Sequence, residues 1–309
     1  VFNRVNMPPY KLPDQAALSG FRSRELVGGG GNSSAGRSNQ LVLDDTAGEI
    51  QAQLKSDYQS SSLSLGSITR VEDHGGRKDR RGQGYELRTD GHGVMRAADG
   101  MLITTEARVD AAGHAKDLGD AVPRLVLARD LIEGQSDAAR TSKAQIKGDQ
   151  DAVAKALGKQ NDTIKGSGGN PREGQFPELA DPHLVLASPS GIAVTSGGST
   201  HIASVEHTQI TSSAHTSINS GGSLIAVALE AFKVYAMQSG MEVIAARADI
   251  EIKALENSIR MLAKDKIELT ADIINITAKT RLTINGGGSY GEYSAGSITK
   301  GTTGKYINH

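Results

Sequence analysis

An eight-residue period governs the second half of the chain. In STHIASVEHTQITSSAHTSINSGG (199–222) three near-copies follow one another: Thr200-His201-Ile202, Thr208-Gln209-Ile210 and Thr216-Ser217-Ile218. Leu186, Val194, Ile202, Ile210, Ile218, Ala226 and Val234 each lie eight residues after the last. Leu184, Ile192, Thr200, Thr208, Thr216, Leu224 and Phe232 form a companion set two positions earlier. Residues two apart in a strand share a face. Each repeat therefore predicts a short strand with two apolar or small residues on one side and a polar one on the other. Gly, Ser, Asn and Asp supply the turns. Val234 and Ile252 are 18 rather than 16 residues apart, which predicts a bulge or irregular turn near Gly240. The pattern resumes at Ile250/Ile252, Ile259/Met261, Ile267/Leu269, Ile274/Ile276 and Leu282/Ile284.

Such a repeat is not stable alone. Burying one Ile is worth roughly 1.5–3 kcal/mol, while ordering each backbone residue costs roughly 1–2 kcal/mol. Repeats must stack into a continuous core. Two closures are open. One chain coils on itself, three faces making a circuit of 24 residues, or three chains wind about one axis and each gives one face at every height. Aromatics are only 4% and tryptophan is absent, which suits both narrow interiors. The last residues, TTGKYINH, offer no apolar plug for a single coil, and this favours the trimer. The axial positions are then Leu186, Val194, Ile202, Ile210, Ile218, Val234, Ile252, Leu269, Ile276 and Ile284.

Elsewhere the chain divides by pattern. Residues 1–39 read as connector, with Pro8, Pro9, Pro13 and the tract VGGGGNSSAG. Residues 40–114 read as short strands, among them the hairpin NQLVLDD/EIQAQLKS, with RKDRR (77–81) in a solvated loop. Residues 115–183 hold a helical insert, near 115–165, and a linker. Leu118, Val122, Leu125 and Ile132 share one helical face, and Ile146, Val153, Leu157 and Ile164 make a second stripe. Gly134 and the polar residues after it are expected to separate the two helices. Residues 184–309 are the octad needle and its end. A net charge of −1 gives no footprint for nucleic acid. No apolar stretch approaches a membrane span, and the absence of cysteine excludes disulfides and thiolate metal sites. The start lacks Met and any leader pattern, so the chain is expected to be the C-terminal part of something longer.

NMPPYKLPDQAALSGFRSREL, NQLVLDDTAGEIQAQLKS, RRGQGYELRTD, RAADGMLITTEAR, FPELADPHLVLASPSGI and INGGGSY occur in this order and together resemble the C-terminal half of VgrG, the valine-glycine repeat spike of the bacterial type VI secretion system. The resemblance implies an all-β, intertwined triple-stranded β-helix or prism, a homotrimer that punctures a target cell. It implies assembly in the bacterial cytoplasm and export to the extracellular space or the target cell. A tube protein would dock through a preceding half, and residues 1–7 would be the last strand of an OB fold. A PAAR-type tip protein or effector would sit on the C-terminal end, where Tyr290, Tyr293, Tyr306 and His309 lie. With no appended enzymatic domain after His309, a plain carrier spike is expected.

Nothing in the residues argues for an enzyme, a cofactor or a metal. Asp44 and Asp45 are neighbours on a strand, so they point to opposite faces and read as a solvated strand end. His207 and His215 are eight apart but precede the inward Thr208 and Thr216, so they face outward rather than toward an axial metal. The helical stripe reads as packing against its partner helix or the prism. The competing reading is a single-chain β-helix that binds or cleaves polysaccharide. It needs carboxylates and aromatics clustered on one face, where Ser, Thr, Ala and Gln stand instead.

Overall fold

The computed structural model describes residues 9–33, 36–72, 76–111 and 113–307. Within the chain, contacts define two units, Val1–Met237 and Gln238–His309. The expected OB-fold strand at 1–7 and the tip residue His309 lie outside the described residues.

The first unit opens with five antiparallel strands in sequence order: β1 (Leu18–Arg22), β2 (Asn39–Asp44), β3 (Gln51–Ser56), β4 (Ser61–Glu72) and β5 (Gly76–Arg88). The β2–β3 hairpin forms as its alternation predicts, closing at Gly48 with φ +73°. The expected connector 1–39 is not all connector, because β1 pairs with β2 from Leu18↔Asp44 to Arg22↔Gln40. The glycine tract closes a turn, with the Val27 N–H donating to the Gly31 carbonyl at 3.0 Å.

On one face of this sheet Leu18, Val42 and Val71 pack with Tyr10. The ladder between β4 and β5 is broken by register shifts around Thr69. There Gln51 substitutes for a strand: its amide donates to the Thr69 carbonyl at 3.1 Å and accepts from the Thr69 N–H. The other face carries two registered apolar rows. Phe21, Leu41, Leu54, Leu63 and Leu87 form one; Leu43, Ala52, Leu65 and Tyr85 form the next. Most of these side chains are exposed.

Two expectations are corrected here. RKDRR is not a loop but the start of β5, and Asp44 is not a solvated strand end. Asp44 is buried, accepting from the Thr46 N–H and hydroxyl at 3.1 and 2.6 Å. Arg77 reaches it at 3.2 Å and also holds Glu49 and the Thr69 hydroxyl. A buried carboxylate needs such a partner, and the basic run supplies it. Asp45 points the other way and is exposed.

Next, β6 (Met101–Thr104) and β7 (Leu184–Ala187) pair in parallel, and the insert leaves and returns between them. It contains α1 (Ala121–Thr141) and α2 (Asp151–Lys165). The helices run antiparallel: Asn161 of α2 donates to the Leu125 carbonyl at 3.1 Å near the start of α1. Leu118, Ala121, Ile164, Leu179 and Val185 form the core under both helices and the strand pair. The predicted break at Gly134 is absent, because α1 runs through it to Thr141 and the helices separate after Ser142. Ile146 falls in that connector and is exposed, so the stripe is Val153, Leu157 and Ile164 alone. At the end of α2, Gly166 has φ +70°, and a Cβ there would lie 1.8 Å from the Pro177 carbonyl oxygen. Only glycine permits the linker to fold back so closely.

The second unit ends in an antiparallel meander of β8 (Arg281–Gly286), β9 (Ser289–Ser294) and β10 (Ser297–Thr302). Gly287 and Gly288, both at positive φ, make the two-residue turn that matches strand twist.

Candidate functional site

The octads form runs of six extended residues separated by bends. In the first unit the runs, here called rungs, are 191–196, 199–204, 207–212, 215–220, 223–228 and 231–236, with two-residue bends between them. In the second unit they are 240–245, 249–254, 258–263, 266–271 and 273–278, followed by β8. The bends there have three, three, two, one and two residues. Every rung has the same length, and its second and fourth positions carry the same-face pair. This corrects the expected bulge near Gly240. Val234 and Ile252 are separated by two nine-residue repeats, and Met241/Val243 is the pair that periodicity at eight passes over.

No residue from 188 to 280 belongs to a helix or a ladder with any described residue of the chain. The ten predicted axial side chains are all exposed, from 52% at Leu186 to 81% at Ile202. Apolar surface of this extent on a lone chain marks an interface, as do backbone groups without a ladder.

Helix α2 lies against part of this segment. Thr163 Oγ1 is 2.7 Å from His183 Nε2 at its C-terminal end. Its middle faces Ser204–Gln209 across a cleft of about 620 Å³ lined by Val153, Ala156 and Leu157. Just before its start, Asp149 pairs with Lys233, and the connector residue Ser142 meets the Tyr235 hydroxyl at 2.8 Å. The hydrogen bond from Lys233, with a second from the Ile146 N–H, holds the Asp149 carboxyl below its usual range. The helix thus meets rungs near 183, 207 and 231, every third one. The histidines behave as expected in that His201, His207 and His215 are exposed.

At the far end, Tyr290, Tyr293 and Tyr306 are exposed. Tyr290 lies across Gly301, its registered neighbour on β10, where a Cβ would be 2.4 Å from the ring. Among the described residues no group of three His, Cys, Asp or Glu side chains is placed to hold a metal. No described helix is long and apolar enough to cross a membrane.

Two family models match the chain. Residues 31–139 match the type VI secretion system Rhs element Vgr, and residues 172–309 match an uncharacterised protein conserved in bacteria (DUF2345). The chain is 32% identical over 270 residues to the type VI secretion system spike protein VgrG2b of Pseudomonas aeruginosa, and 31% identical over 277 residues to VgrG2a of the same organism. Both matches cover 87% of the chain, which spans 25% and 30% of those two relatives. A solved VgrG spike from the type 6 secretion system aligns at 25% identity with a TM-score of 0.78, covering 94% of this chain and 99% of that one. A VgrG spike solved with the Tle1 effector bound aligns at 24% identity with a TM-score of 0.79, covering 95% and 81%. With the sequence, the octads and nearly the full length of a solved spike in agreement, the chain belongs to the VgrG spike protein family of the type VI secretion system.

Proposed function

We propose that the chain forms the shaft of a homotrimeric puncturing spike, and that its work is mechanical rather than catalytic. The path of α2 carries this reading. Rungs at 183, 207 and 231 return to one face, so the segment makes two circuits along the helix. From Thr163 to Asp149 a helical rise of 1.5 Å per residue gives about 21 Å. A single coil would advance one strand spacing per circuit, about 4.8 Å, or about 10 Å in all. It would also form ladders between rungs three apart, and none is present. Interleaved strands from three chains advance about 14 Å per circuit. The helix, with the reach of His183 and Lys233 at its ends, covers that distance. A three-faced shaft maps onto itself under three-fold rotation and not under two-fold rotation, which selects three copies.

In that arrangement the exposed second and fourth positions of each rung meet their own copies on the axis, and the idle backbone groups pair between chains. Load along the shaft is then shared by many short inter-chain ladders, with no long open sheet edge. Assembly in the bacterial cytoplasm and delivery into a target cell follow from the family. A PAAR-type tip protein or an effector would take the end formed by β8–β10, where Tyr290, Tyr293, Tyr306 and His309 lie, and the tube would attach through a preceding part. The absent ladders count against the single-chain polysaccharide-binding fold.

Light scattering tests the assembly. The expected mass is three copies of the 32.3 kDa chain, in a species that resists heat and detergent. A stable monomer overturns the reading.

A further inference from the structure

Side chains at the third and fifth positions of each rung point away from the axial pair. Along the first unit these are Ala193/Thr195, His201/Ala203, Gln209/Thr211, Ser217/Asn219, Ile225/Val227 and Lys233/Tyr235. One rung differs from the rest in carrying two large aliphatic residues there. Ile225 is 80% exposed, Val227 92%, and Leu229 in the next bend is fully exposed. Nothing within the chain covers them. On α2, Val153 and Leu157 are half-buried and line the cleft on the side toward the rungs.

We infer that Ile225 and Val227 of the partner subunit fill the cleft beneath α2, so that the helical insert clasps a neighbouring chain as well as its own. The inference rests on the three-chain reading above. On the face that α2 crosses, the chain's own rungs 207–212 and 231–236 are separated by two strands from the other copies. Each rung rises by one strand spacing, so the two interposed strands are rung 215–220 of one neighbour and rung 223–228 of the other. This holds for either hand of winding. Rung 223–228 is the one next to the chain's own 231–236, where Lys233 holds Asp149 just before α2. Val153 and Leu157, in the first half of the helix, therefore stand over the one outward aliphatic pair of the series. Polar Ser217 and Asn219 of the other interposed rung lie deeper, toward the cleft side lined by Gln160, His207 and Gln209. A second copy is the occupant that the spacing requires, since the same rung of the chain itself faces another side of the shaft.

The chain has no cysteine, so engineered disulfides report contacts without background. A chain carrying Leu157→Cys and a longer-tagged chain carrying Ile225→Cys are co-expressed, with Val153→Cys/Ile225→Cys and Leu157→Cys/Val227→Cys as further pairs. Ser142→Cys/Tyr235→Cys within one chain serves as the intramolecular control. At least one mixed pair is expected to give a covalent product of one short and one long chain on a non-reducing gel. If the particles have trimer mass and every pair fails to cross-link while the control succeeds, the clasp is overturned. It is overturned equally if Leu157→Cys and Ile225→Cys on one chain close only within it. If the particles are monomers, the three-chain reading fails first and the clasp falls with it.

Discussion

Truncating Ile210 separates an axial side chain from an exposed one. In the lone chain Ile210 is 73% exposed and Leu255, in a bend, is 92% exposed. A conventional surface reading assigns both substitutions to alanine less than about 0.5 kcal/mol. In a closed three-chain shaft they diverge. Ile210 occupies the fourth position of rung 207–212 and meets two copies of itself at one height, so all three are buried together. Ile→Ala in a core costs about 2–5 kcal/mol per side chain, or roughly 6–15 kcal/mol per trimer. Leu255→Ala leaves the axis untouched and keeps its cost within about 0.5 kcal/mol. Guanidinium dissociation at fixed chain concentration, followed by light scattering, reads both, since trimer stability depends on concentration. Ile210→Asp goes further, because three unpaired carboxylates at one height block assembly. Equal, small shifts for Ile210→Ala and Leu255→Ala, or normal trimers from Ile210→Asp, refute the axial assignment.

Asp149→Asn is expected to loosen the insert at neutral pH, seen as faster proteolysis within 142–165. The carboxyl titrates below its unfolded value of about 3.9, so its tie to Lys233 is fully present above that pH and is lost as pH falls through the depressed value. Near pH 2 variant and parent should match, and a difference independent of pH refutes the tie. Arg77→Met strands the Asp44 carboxylate, whose side chain is 0% exposed. Removing one partner of such a buried pair costs about 3–5 kcal/mol. Hydrogen exchange should accelerate across β2 and β5 and be restored by adding Asp44→Leu. Unchanged exchange in the single variant would show that Arg77 is not needed there.

What the sequence reveals and what it hides follow from the range of the interactions. Apolar alternation is local, so the β2–β3 hairpin and the octad pairs through Val234 are readable residue by residue. The insert is readable as helical because its stripes are local too. Its break is not, since Gly134 carries only a propensity cost that packing of Ile132 and Ser136 overrides. The place of RKDRR is hidden for the opposite reason. A basic run looks solvated until a buried carboxylate 33 residues away, Asp44, is brought beneath Arg77 by the sheet. The contact between α2 and the rungs is also long-range. A clue to it is nevertheless present in the outward Ile225 and Val227, which depart from the Ser, Thr and Gln of neighbouring rungs.

The irregular half of the repeat shows which quantity the fold holds constant. Read as a period, the spacing from Val234 onward wanders through nine, nine, nine, eight, seven and eight residues. Read as rungs, nothing changes except the bends, which take three residues, two or one. A slip of one residue within a rung would send its whole inward set to solvent, and in a three-chain shaft it would do so in three copies at one height. An extra residue in a bend costs only loop entropy, which rises slowly with length. Variation is therefore confined to the corners. Met241 and Val243 sit correctly because the corner at 237–239 absorbs the added residue, and the same rule places Ile274/Ile276 after a one-residue corner at Asp272.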